Sequence, residues 1–145
     1  MVDVNGQDIV KGIIKALNNE FGNNYTYYIN DIPQGFEEPS FYVRLLDSSF
    51  NLIYGNRYLR KNIFMIRYFP KSELEPQQEI NAILDKFYPI LEYIYMENDL
   101  IRGTNMEANI VDNILHLQIN YDFFVIRPIQ RGPLMQKLIQ KQKVK

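Results

Sequence analysis

Hydrophobic and polar residues alternate most clearly from Leu100 to Ile126, LIRGTNMEANIVDNILHLQINYDFFVI. A period of two marks strands with one buried face. The stretch predicts a long β-hairpin with Asp112-Asn113 at its tip. A two-residue turn needs positive φ at both central positions, and Asp and Asn tolerate that better than other non-glycine residues. If Val111 pairs with Ile114, one register sorts both strands. Thr104, Met106, Ala108 and Ile110 then lie opposite Tyr121, Ile119, Leu117 and Leu115 on an apolar side. Asn105, Glu107 and Asn109 lie opposite Asn120, Gln118 and His116 on a polar side. One face of a sheet is thereby assigned to a core and the other to water or a partner.

The rest of the chain supplies the cover. Ile9, Val10, Ile13, Ile14, Leu17 and Phe21 recur at helical steps and predict a helix over about 6–21, capped by Asn5 or Asp8 and ended by Gly22. Tyr25 to Ile29 and Phe41 to Leu46 read as short strands around a Pro- and Gly-bracketed loop at Phe36. Asp47 to Asn56 reads as a polar connection. Arg57 to Phe69 is apolar on both faces in its second half, which predicts a strand inside the sheet. A second helix is expected over about 72–88, with the stripe Ile80, Ile83, Leu84, Phe87, Tyr88 and Leu91. Pro89 should break or kink it. Strands that follow one another directly make a mostly antiparallel sheet, and two helices can cover one face. The predicted class is a two-layer α+β sandwich, with one domain over 1–126 and a tail over 127–145 in which Gly132-Pro133 opens a short helix.

Composition narrows the options. The 145 residues suffice for one sizeable core. The 46% hydrophobic and 23% charged residues are those of an ordinary soluble domain. Without cysteine there are no disulfides or thiolate metal sites. No run reaches the roughly 20 apolar residues of a membrane span, and no export signal is expected. The net charge of -1 conceals an asymmetry. Arg127, Arg131, Lys137, Lys141, Lys143 and Lys145 follow the last acidic residue, Asp122, and leave 10 basic against 17 acidic residues in the body. Such a tail suits docking on an acidic neighbour, another copy included.

Candidate chemistry is sparse. His116 has Glu107 and Asn109 on the strand opposite, and no third group converges on them. Phosphate-loop, GxGxxG and GxSxG patterns are absent. Arg57, Lys61 and Arg67 fall on one side of their strand and Arg60 on the other. That pattern, with the tail, keeps a small nucleic-acid-binding protein as an alternative. No enzyme activity, cofactor or metal is expected.

Several blocks in order resemble the tail terminator (tail completion) proteins of tailed bacteriophages and phage-tail-like particles. They are the first helix, Pro33-Gln34-Gly35-Phe36 with Pro39, FYVRLL at Phe41 to Leu46, and NIFMIRYFP at Asn62 to Pro70. The helix around Asn81 to Phe87 and IVDNILHLQINYDFFV at Ile110 to Val125 follow. The resemblance implies a structural virion protein, commonly a hexameric ring. Such a ring caps the head-proximal end of the tail tube, ends tube polymerisation and joins the tail to the neck. It implies as partners other copies of the chain, the tail tube protein, and neck, connector or sheath proteins, with DNA passing through but not specifically bound. It implies a place in the virion tail, contractile or otherwise, assembled in the bacterial cytoplasm. The expected interface residues are Asn105, Glu107, Asn109, His116, Gln118, Asn120 and Asp122 on the hairpin, with Arg127, Arg131, Lys137 and Lys141 of the tail. A head-completion or connector neck protein is the related alternative.

Overall fold

A computed structural model describes residues 5–96 and 99–128. Helix α1, Gly6–Phe21, starts where Asn5 forms a reciprocal cap. The Asp8 backbone N–H donates to Asn5 Oδ1 at 2.9 Å, and the Asn5 N–H donates to Asp8 Oδ2 at 3.2 Å. Gly22, at φ 82°, ends the helix and donates its N–H to the Asn18 carbonyl. Ile9, Val10, Ile13 and Leu17 are buried. Each such side chain contributes about 1.5–3 kcal/mol by leaving water.

Strands β1 (Thr26–Ile29) and β2 (Ser40–Tyr54) pair in parallel, the exception in an otherwise antiparallel sheet. β2 departs from expectation. The segment expected to be a loop after Leu46 continues as strand to Tyr54 and turns at Gly55-Asn56 into β3, Arg57–Phe69. Gly55, at φ 59°, accommodates the turn. Backbone pairing with β3 holds the polar residues of β2 in the ladder, with an irregularity between Leu45 and Asp47.

Helix α2 spans Pro76–Leu91 rather than 72–88. Residues 71 and 72 are held outside it, because their N–H groups donate to the Glu79 carboxylate at 2.7 and 2.9 Å. Pro89 does not end the helix. It lies in the last turn, where its missing N–H costs at most one helical bond, and Leu91 beyond it is fully buried.

Strand β4 (Tyr93–Met96) pairs with β5 (Asp99–Val111), which returns through Asp112-Asn113 into β6, Ile114–Tyr121. The two turn residues have φ of 52° and 60°, and Val111 pairs with Ile114 as expected. The hairpin is not continuous to Ile126. After Asp122 the chain leaves β5 and forms β7, Phe123–Ile126, on the outer half of β3. The sheet order is β1-β2-β3-β6-β5-β4, with β7 also on β3. Phe41, Val43, Phe64, Ile66, Leu115, Leu117 and Ile119 face the two helices across one core.

The register shifts by one residue between Thr104 and Glu107. Asn105, at φ 51°, takes the extra position of a β-bulge. Thr104 therefore lies opposite Asn120 rather than Tyr121, and Gly103 takes the place facing Tyr121. Glycine is required there by space: a Cβ would lie 2.8 Å from the Leu91 carbonyl oxygen and 2.5 Å from Ile119 Cδ1.

Candidate functional site

The face of the sheet away from the helices is ordered in rows by strand register. One row runs Tyr42, Arg67, His116, Asn109 across β2, β3, β6 and β5. The next runs Arg44, Met65, Gln118, Glu107. The Arg67 guanidinium lies over the Tyr42 ring at 5.3 Å and its Nε donates to Met65 Sδ at 3.3 Å. That stack ties the two rows together. Partial burial, with the positive charge of Arg67 beside it, holds the His116 imidazole below its ordinary pKa. His116 is therefore neutral at pH 7.

The structure brings Glu107, Asn109, His116 and Gln118 together on this face, with Asn120 next to them opposite Thr104 and Ile63. Asn105 is displaced into the bulge and faces no residue of β6 in register. Asp122 is engaged elsewhere: its Oδ1 accepts the Asn62 backbone N–H at 3.1 Å. Buried Asn62 in turn donates to the Tyr121 carbonyl at 2.9 Å and accepts from Ser48 Oγ and Arg60 Nε, each at 3.0 Å. The pair thus fixes where β6 ends and β7 begins. Arg127 lies beside the β2–β3 turn, donating its N–H to the Asn56 carbonyl at 2.9 Å with its guanidinium 5.7 Å from the Tyr58 ring centroid. Arg131, Lys137, Lys141 and the short helix expected after Gly132-Pro133 lie outside the described residues.

The cation beside His116 was missed by sequence reasoning. Arg67 lies opposite His116, and Arg44 shares a row with Gln118 and Glu107, only because β3 sits between β2 and β6, a pairing of strands about 50 residues apart. The outer face is consequently of mixed sign. Among the described residues no group of three or more His, Asp or Glu side chains could hold a metal ion, and no helix is long and apolar enough to cross a membrane.

An ordered outer face on a helix-backed sheet accords with a structural role. The family comparison decides the matter, because the model of the phage tail terminator protein family matches residues 8–133. The chain belongs to the phage tail terminator protein family. It is a phage tail structural protein, and the matched segment takes in all but the first two residues of α1, α2, strands β1 to β7 and the start of the basic tail. Among curated proteins none matches it. A solved chain is similar over 87% of this chain and 99% of its own length, at 12% identity and a TM-score of 0.45.

Proposed function

We propose that this terminator-family chain assembles into a ring, commonly of six copies, at the head-proximal end of the tail tube. The ring ends tube polymerisation, presents a surface to the neck and performs no reaction. The family match over residues 8–133 carries this reading. The sheet supports it, since among the described residues α1 and α2 leave its outer face uncovered, and that face presents Glu107, Asn109, His116 and Gln118 in register. Asn120 and the displaced Asn105 flank that set, and Arg127, at the β2–β3 turn, is a further proposed contact together with Arg131, Lys137 and Lys141. In a ring that passes DNA, a face of mixed sign does not grip phosphate uniformly.

The test is the mass of the purified protein by light scattering over a range of concentration, with negative-stain images. It is paired with a tube-polymerisation assay in which the protein is added to the tail tube protein. The expected results are a closed ring of about six times the 17.3 kDa subunit and tubes that stop growing when it is present. A tight two-fold dimer that leaves tube growth unchanged overturns the proposal.

A further inference from the structure

Among the described residues, the outer part of the β2–β3 hairpin extends beyond the cover of α1 and α2. The start of α1 reaches only as far as Leu45 and Arg60, the side chains nearest Gly6. Beyond them Leu52 is 56% and Tyr54 70% exposed, with Ile53 also open to solvent. This arm is nonetheless internally ordered. The Phe50 and Tyr58 rings stack at 4.6 Å with 8° between their planes. Arg57 lies over the Phe124 ring of β7, and Arg127 over Tyr58. The result is a preformed apolar projection with a basic rim of Arg57, Lys61 and Arg127. Pre-organisation of this kind lowers the entropic cost of docking.

The arm is also an open sheet edge. β1 pairs only with residues 40–43 of β2, so among the described residues 44–54 have β3 on one side and no strand on the other. At the opposite end of the strand order, among the described residues, β4 pairs only with residues 99–102 of β5, and residues 104–111 have β6 alone. That second end is acidic. Asp99, Glu107 and Asp112 are exposed beside the exposed apolar residues Leu100, Ile110 and Val111, and its one cation, Arg102, is 3.5 Å from Glu92. Open edges of this length are joined or blocked in native proteins.

We infer that the β2–β3 arm of one copy docks on the acidic β4–β5 end of the next copy. The inference rests on the ring reading and names the two surfaces that form the ring. The occupant is a second copy because the arm and its acceptor are complementary in charge and apolar character, and both belong to this chain. The contact is head-to-tail. An arm-to-arm contact would set Arg57, Lys61 and Arg127 against themselves, whereas arm-to-end contacts join two different patches and close into a ring.

The experiment uses two charge-reversed full-length proteins, one Arg57→Glu with Arg127→Glu, the other Asp99→Lys with Glu107→Lys. A third protein, Leu52→Ser with Tyr54→Ser, removes apolar contact at exposed positions without altering charge. Circular dichroism confirms the fold of each, and mass is read by light scattering. The wild type is expected at ring mass and each variant alone at the 17.3 kDa of one subunit. An equal mixture of the two charge-reversed proteins should return to ring mass, since each reversed arm again meets an end of opposite sign. If the wild type forms rings and the variants do too, or the mixture stays at subunit mass, the arm-to-end contact is overturned while the ring stands. If the wild type does not self-associate either alone or on tube ends, both are overturned.

Discussion

The Tyr121 hydroxyl donates to the Leu91 carbonyl oxygen at 2.7 Å, which joins the last residue of β6 to the last residue of α2. Both residues are fully buried, and burial pushes the Tyr121 phenol well above its ordinary range, so it remains a donor at any working pH. The bond satisfies a helix-terminal carbonyl that has no intrahelical partner. Tyr121→Phe should therefore cost about 1–3 kcal/mol, the penalty of leaving a buried acceptor unpaired. Urea denaturation checks this through a lower midpoint at unchanged slope. Gly103→Ala should destabilise by at least as much, because its Cβ has nowhere to go beside the same carbonyl.

The β5–β6 turn depends on left-handed backbone at both Asp112 and Asn113. Asn113→Val should cost about 1–2 kcal/mol, since a β-branched residue is strained at positive φ. Asn113→Gly should be neutral or stabilising. Thermal melts should show a fall for Asn113→Val and none for Asn113→Gly. If both fall equally, the turn conformation is not what limits the hairpin.

Glu79 sets the acid sensitivity of the α2 entrance. Burial opposes its charge, but the Tyr68 hydroxyl and the N–H groups of Lys71 and Ser72 outweigh that and hold its pKa below the usual 4.5. A carboxyl whose pKa is lower folded than unfolded stabilises fully above the unfolded value, and loses that contribution as pH falls through the folded one. Glu79→Gln should lower stability by about 1–2 kcal/mol at pH 7. The gap from wild type should narrow as pH falls below 4.5. Chemical melts at pH 7 and pH 3 measure both.

His116 is linked to pH with the same sign, in a higher pH window. Its pKa is lower in the folded protein than the usual 6.5, so the unfolded chain binds the proton more readily. Stability is then unaffected well above pH 6.5, and falls as pH drops through that value until the folded pKa is passed. His116→Gln should remove this loss, leave the stability at pH 8 near wild type and leave ring assembly near normal. A collapse of assembly at pH 8 in that variant would show that the neutral imidazole makes a contact glutamine cannot.

The local chemistry of individual stretches was legible in the sequence. The helical stripe of Ile9, Ile13 and Leu17, its Asn5 cap and its Gly22 stop, and the Asp112-Asn113 turn depend on neighbours within a few residues. The α+β class followed from their order, and Gly55-Asn56, where β2 turns into β3, is a hairpin signal of the same short-range kind. Tertiary structure decided what depends on distant partners. The bulge at Asn105 places Gly103 against α2, where the Leu91 carbonyl leaves no room for a side chain. The Asn62–Asp122 contact sends β7 onto β3 and removes Asp122 from the outer face. β3 carries Arg67 to His116, and pairing with β3 makes a strand of Asp47 to Tyr54. In each case the deciding energy is a contact between residues tens of positions apart, which no short-range period encodes.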